Sequence, residues 1–497
     1  RDGDYRVKRY RPRIEGGFAR IEKISHPARG IYWKVTTPDN TATIFGRDTN
    51  ARIADPEDDT RIFQWLPEFS YDDKGNWIKY VYKDENLENV PNTLHEKNRW
   101  NGTAKFTNKY LKRVKHGNRS PYYADPVRPY DPQPPAQEEH FFELVFDYGE
   151  HDAAIPTPDE AVNQSWNYRP DAFSHYRAGF EIRTNRLCKC ILMFHHFKEE
   201  ADFGENYLVR SLNLAYESSS KDTPQKSEVT YLKSITQTGY IRKPDNTYSG
   251  KSLPPMEFEY QQLNWSREIK SVSKENIVNA PVGLTNNYQW VDLYGEGISG
   301  ILTEQGEGWF YKSNLGDVDE DGDVRFTAAK EVIPRPSFAG LATGALSIQD
   351  LDANGKKQVV VNSPGLQGYF ELTEDNDWEN FKAIEEIANI NLQDPNVRLI
   401  DLNGDGQPEL VVSEDNVFVW YASKGKKGYD APALAAKPFD EEKGPAIVFA
   451  DQLQTIFLAD MSGDGMTDIA RIRNGEICYW PNMGYGRFGS KVSMYNA

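Results

Sequence analysis

The chain has 497 residues and a mass of 56.8 kDa, enough for roughly two to four domains. Its 38% hydrophobic and 13% aromatic residues can supply real cores despite a mean hydropathy of -0.72. A formal net charge of -17 argues against nucleic acid or an anionic membrane as the main partner, because phosphate binding needs a basic surface, and no apolar run reaches transmembrane length, so no direct membrane insertion is expected. Three cysteines, Cys188, Cys190 and Cys478, cannot build a disulfide framework. The opening residues Arg1 to Arg6 carry neither an initiator Met nor an apolar leader, and Pro481 to Gly489 read as the interior of a repeat. The sequence therefore reads as an internal piece of a longer chain.

In chain order, residues 1–275 show short runs of alternating polarity separated by turn residues. Phe18 to Ile24 alternates. Ile31 to Val35 and Thr41 to Phe45 flank a Pro38-Asp39-Asn40 turn, and Phe69 to Tyr71 and Trp77 to Tyr82 flank Asp72 to Asn76. Both read as hairpins. A helical turn or two is expected between Leu87 and Trp100. Runs opening at Tyr110, Tyr207 and Tyr231 repeat one phrase, which predicts a large meandering antiparallel sheet with aromatics on one face. Pro121 to Pro135 is expected to be an ordered excursion or short linker. The pattern changes between Ser271 and Ala280, which places a domain boundary there: 1–275 and 276–497.

The second segment is built on a repeat. Asp401, Asn403 and Asp405 alternate in a loop with Gly406 at its sixth position and Glu409 at its ninth, ahead of an apolar run. Asp460, Ser462, Asp464 and Asp468 repeat it, and Asp350, Asp352 and Asn354 do so more loosely, with Gln358 at the ninth position. A fourth copy from Asp292 keeps the backbone pattern and has lost most side-chain oxygens. The leading aspartates are 58, 51 and 59 residues apart. Short strands at such a period predict β-propeller blades, and the pattern resembles FG-GAP/VCBS repeats. Alternating oxygens around a glycine turn suit Ca2+. Asx-type turns that satisfy loop backbone without metal explain the same residues. A bound calcium, repeated from blade to blade, would be structural.

Other clusters carry less. Asp317, Asp319, Asp321 and Asp323 read as a solvated loop. Cys188-Lys189-Cys190 with His195-His196 has zinc-type ligands, but adjacent histidines on a strand point to opposite faces and the cysteine spacing is wrong. The basic run Lys109, Lys112, Arg113, Lys115 and Arg119 reads as a solvated strand face. Gly250-Lys251-Ser252 lacks the first glycine of a P-loop, His95-Glu96 lacks the second histidine of a zincin, and no Gly-x-Ser-x-Gly elbow occurs. No catalytic residue or organic cofactor site is assigned.

Several phrases carry a family resemblance: Arg9-Tyr10-Arg11-Pro12-Arg13-Ile14-Glu15-Gly16, Asn50-Ala51-Arg52-Ile53-Ala54-Asp55-Pro56, Phe180-Glu181-Ile182-Arg183-Thr184, Leu192 to Phe197, Leu253 to Tyr260 and Cys478-Tyr479-Trp480-Pro481-Asn482. With these the chain resembles the B component of insecticidal Tc toxin complexes (TcaC/TcdB type), which is similar to the N-terminal region of SpvB, a Salmonella plasmid virulence protein. The resemblance implies an all-β fold, an RHS-like/SpvB-type sheet followed by a propeller, and a non-enzymatic role. Together with an RHS-type C component, the sheet would form a shell around a toxic polypeptide. The propeller would dock onto the pore-forming A component and gate the exit. The complex would be assembled in the bacterial cytoplasm and act extracellularly. The RHS-rich remainder is missing, and four blade motifs fall short of the six expected. Two alternatives stand beside this: an integrin-like adhesin propeller, and a piece of an ADP-ribosyltransferase without its catalytic domain.

Overall fold

The structure is a computed structural model that describes residues 4–135, 139–200, 203–218, 229–261 and 288–494, with Val272 and Val278. Positions 307, 319, 321, 337–339, 342–344, 364, 374, 376, 452–454 and 474 within the last span are excepted. Asp319 and Asp321 thus lie outside the described residues, as does most of the stretch from Ser271 to Ala280. The chain divides into two compact units, residues 1–262 and 263–497.

The first unit is dominated by an antiparallel meander of thirteen strands in which spatial order follows chain order, with two small two-stranded sheets beside it, Arg52–Asp55 with Asp58–Trp65 and Phe173–His175 with Ile182–Thr184. It opens with Arg6–Tyr10, Arg20–His26, Gly30–Thr36 and Ala42–Phe45 and ends with Thr230–Arg242, paired with both Tyr248–Ser252 and Met256–Glu257. Alternation is what seats these strands: in Gly30–Thr36 the buried residues are Tyr32 and Lys34, two positions apart on one face. Ile24, Tyr32, Ile44 and Phe69 meet in one core cluster, and Val145, Cys190, Leu192, Phe194 and Leu208 in another. The two predicted hairpins form, Asn40 at φ 64 and Gly75 at φ 91 taking the left-handed turn positions. The expected helical turns are a 3-10 turn at Leu94–Glu96 and an α turn at Lys97–Trp100.

The proline-rich excursion straps one face of the sheet. Tyr130 O accepts from Tyr32 Oη at 2.6 Å and Pro129 O from Lys34 Nζ at 2.9 Å. Buried Arg47 holds Asp131 and the carbonyl of Pro132. A strap of prolines has few N–H groups to satisfy, so its carbonyls can serve the sheet's own side chains.

The second unit contains four four-stranded antiparallel sheets, the blades of a β-propeller. Blade 1 runs from Tyr288–Val291 to Lys330–Glu331, blade 2 from Leu346–Gln349 to Lys382–Ala383, blade 3 from Val397–Ile400 to Ala433–Ala436, and blade 4 from Ile456–Ala459 to Val492–Ser493. Blades pack face to face. Leu302, Trp309 and Tyr311 of blade 1 share a core with Val359, Val361 and Phe370 of blade 2, and Val411 and Phe418 of blade 3 share one with Ile469, Cys478 and Trp480 of blade 4.

Candidate functional site

The repeated loop joins the first strand of each blade to the second. Its ninth residue opens the second strand: Gly300, Gln358, Glu409 and Asp468. The sixth position is a glycine at φ 84 to 86 in all four blades (Gly297, Gly355, Gly406, Gly465). The fourth is Gly295, Gly404 or Gly463 at φ 75, and Ala353 at φ 53 in blade 2. Two left-handed residues turn successive N–H groups inward, making a small anion nest.

The leading aspartate fills that nest. Asp401 Oδ1 accepts from Gly404 N at 2.7 Å and its Oδ2 from Gly406 N at 2.9 Å. Asp460 does the same with Gly463 N and Gly465 N, at 2.7 and 2.8 Å. Asp350 accepts from Asn354 N and Gly355 N, and Asp292 from Glu296 N and Gly297 N. Further along, Asn403 Oδ1 accepts from Asp405 N, Asp405 Oδ1 from Gln407 N, Asp464 Oδ1 from Met466 N, and Asn354 Oδ1 from Lys356 N. Ser462 Oγ reaches Asp460 Oδ1 at 3.5 Å.

The ninth residue is a buried strut beneath the loop. Glu409 Oε2 accepts from Leu402 N at 2.7 Å, Gln358 Oε1 from Leu351 N at 2.8 Å, and Asp468 Oδ2 from Met461 N at 2.8 Å. In blade 1 the strut is Gly300, and the Tyr311 hydroxyl accepts from Leu293 N at 3.3 Å in its place. Any Cβ on Gly300 would lie 2.5 Å from that hydroxyl. A carboxylate, a carboxamide and a phenol thus do one job: they pair a buried backbone N–H. Burial, with Asp405 and Asp401 nearby, pushes the Glu409 carboxyl up to about 7. Burial likewise pushes Asp468 up to about 6.

This geometry bears on calcium. Asp350, Asp401 and Asp460 each turn both carboxylate oxygens to backbone N–H groups. Asp352 is bound by Lys426, whose Nζ is 2.7 Å from Oδ2. Among the described residues, no three His, Cys, Asp or Glu side chains group to hold a metal ion. As folded, these donors serve hydrogen-bonded turns, and each carboxylate oxygen engaged by an N–H keeps a further lone pair.

In the first unit, Cys190 Sγ donates to Asn213 Oδ1 and Cys188 Sγ to Cys190 O. Burial pushes the Cys188 and Cys190 thiols up to about 11 and about 12. His195 packs edge-on against Phe142 and Phe197, whereas His196 pairs with Glu143 at 3.2 Å, on the opposite face. The basic run is not a solvated face throughout. Lys112 is buried, with Nζ 2.6 Å from Glu150 Oε1 and 2.7 Å from His151 Nε2. The alternation of Lys109–Asn118 sends Lys112 inward, toward an acid 38 positions downstream that no local pattern reveals. Two further buried clusters lack any local signal. Glu96 and Glu181 hold Arg99 and Arg183. Arg186 pairs with Glu85 at 3.0 Å and lies over the Trp166 ring at 4.2 Å.

A thirteen-stranded meander followed by propeller blades with self-capped loops defines an all-β scaffold class. Residues 1–197 match the model of the Salmonella virulence plasmid 65kDa B protein family, SpvB. The chain is similar to the mono(ADP-ribosyl)transferase SpvB of Salmonella typhimurium and of Salmonella dublin, with 35% identity over 247 residues. The match spans 49% of this chain and 40% of each relative's length. Among solved structures, a chain of the Photorhabdus luminescens Tc holotoxin pore superposes on 99% of this chain with a TM-score of 0.79 and 27% identity. This chain covers 22% of it. The TcdB2-TccC3 structure matches the fold over 99% of this chain with a TM-score of 0.59 and 24% identity. No helix among the described residues is long and apolar enough to cross a membrane.

Proposed function

We propose that the chain is a non-enzymatic structural part of a bacterial Tc-type toxin complex. The observation that carries this reading is the similarity to a Tc holotoxin chain along nearly the whole length of both units, at a TM-score of 0.79. In this reading the sheet unit contributes shell wall around a toxic polypeptide, together with an RHS-type C component. The propeller docks onto the pore-forming A component and gates the exit, and the complex acts outside the bacterium. Loops on rigid blades are suited to recognition. Their hydrogen-bonded turns supply rigidity to such a face. Biolayer interferometry tests the docking step, with a purified A component immobilised and this chain in solution. Saturable binding that a complete B component competes away is expected, and absence of binding removes docking from the propeller.

A second reading rests on the SpvB relatives, whose name includes a transferase activity. The part matched is their N-terminal, non-catalytic region, which favours a scaffold for this chain too. NAD consumption by the purified chain, abolished by a point substitution within residues 1–262, would reverse that preference.

A further inference from the structure

The first strand of the large sheet, Arg6–Tyr10, is paired on one side only, with Arg20–His26. Among the described residues no strand pairs with its other edge. Val7 packs against the core formed by Ile24, Tyr32, Ile44 and Phe69, and the Tyr10 ring lies 5.3 Å from that of Trp33. The strand is therefore firmly seated, while Arg6, Lys8 and Arg9 are exposed. The connection that follows adds Arg11 and Arg13 and holds two large apolar side chains in water, Ile14 at 87% and Phe18 at 75% exposure. That connection is a built turn. Phe18 takes the left-handed conformation at φ 48, and its N–H donates to Glu15 Oε1 at 2.9 Å.

Little of this positive charge is used internally. Arg9 and Arg20 share Glu22, and the Lys8 ammonium sits 5.1 Å from the Tyr10 ring centre. Among the described residues, Arg6, Arg11 and Arg13 have no carboxylate partner. In a chain of net charge -17 this is a concentrated patch of the opposite sign. Charged edges ordinarily deter strand addition. Here the deterrence is selective: a second copy of the same edge would bring cation onto cation, whereas an acidic strand would find its complement. Deterrence alone also gives no reason to hold Ile14 and Phe18 outward on a strained turn.

We propose that this edge docks an extended acidic segment of a protein partner, added as a further antiparallel or parallel strand. Backbone hydrogen bonds would supply the join and alternate side chains the selection. Glutamate or aspartate would face Arg6 and Lys8, and an apolar patch beside the strand would cover Ile14 and Phe18. An anionic membrane shares the charge logic, but it cannot pair the row of backbone N–H and C=O groups, and the acidic remainder of the chain would be repelled from it.

The test uses the whole 497-residue chain and a short fluorescein-labelled peptide alternating Glu and Val. Its Lys–Val counterpart and phosphatidylserine vesicles serve as the other arms. Saturable anisotropy with the Glu–Val peptide is expected, with slowed amide exchange within residues 6–10. Charge reversal by Lys8→Glu, Arg11→Glu and Arg13→Glu together should weaken binding roughly tenfold or more. Ile14→Ser with Phe18→Gly should weaken it without lowering the melting temperature. Absence of peptide binding, equal binding of the Lys–Val peptide, unchanged affinity after charge reversal, or binding to vesicles alone would each overturn the proposal.

Discussion

At the scale of single residues, the ninth loop position shows how one structural need is met by different chemistry. Glu409, Gln358 and Asp468, and Tyr311 above Gly300, all accept from the N–H of the loop's second residue. Glu409→Gln therefore keeps the acceptor and is expected to change stability by less than about 1 kcal/mol, whereas Glu409→Leu strands the Leu402 N–H at a cost of about 1–3 kcal/mol. Urea unfolding followed by tryptophan fluorescence separates the two, and neither calcium nor chelator should move the wild-type midpoint. A calcium-dependent rise lost in Glu409→Gln would establish the metal reading. Ala353 offers a converse case, since the other three blades have glycine at its left-handed position. Relief of about 1–2 kcal/mol of backbone strain, less about 0.4–1 kcal/mol of added unfolded-state entropy, leaves Ala353→Gly more stable by roughly 0.5–1 kcal/mol, readable in the same assay.

At the scale of elements, alternation made the strands legible. Gly30–Thr36 and Trp77–Asp84 carry the turn residues and apolar spacing that form their hairpins, and the aspartate spacing located one loop per blade. What stayed hidden were partners distant in sequence. Arg186 and Glu85 are 101 positions apart, and nothing around either marks it as buried. The loop carboxylates were equally legible as turn formers or ligands, because both uses need an oxygen on alternate residues. Only the fold decides which atom each oxygen meets. The same lesson applies to Glu441, an unremarked acid that ties its loop to blade 4 through Arg471 Nη1 at 2.9 Å and Lys491 Nζ at 3.3 Å. The hydrogen bond from Arg471, with help from Lys491, holds its carboxyl down at about 2. A depressed folded-state value means the stabilisation is present above the ordinary carboxylate range and is lost as pH falls toward 2. Wild type should lose its stability advantage over Glu441→Gln between about pH 4.5 and 2, with no change in the difference from pH 6 to 8. Parallel urea curves for the two proteins throughout the acid range would remove Glu441 from acid unfolding.

At the scale of the whole molecule, the two units have separate cores. Ile24, Tyr32, Ile44 and Phe69 belong to one, and Leu302, Trp309, Val359 and Phe370 to the other. A unit with its own core is expected to melt as its own cooperative transition. Arg186 supplies a handle on the first. It and Glu85 are both fully buried, so Arg186→Ala leaves an uncompensated carboxylate at a cost of about 3–5 kcal/mol. For a unit of this size that corresponds to a fall of roughly 10 °C. Glu409→Leu supplies the handle on the second, with a smaller fall. Scanning calorimetry of the intact chain should then show two transitions, the Arg186→Ala protein losing ground in one and the Glu409→Leu protein in the other. The shifts should also add without interaction in the double variant, since the substituted sites belong to different units. One transition displaced by both substitutions would mean that sheet and propeller unfold as a single unit, and that a load on the propeller loops is felt in the sheet.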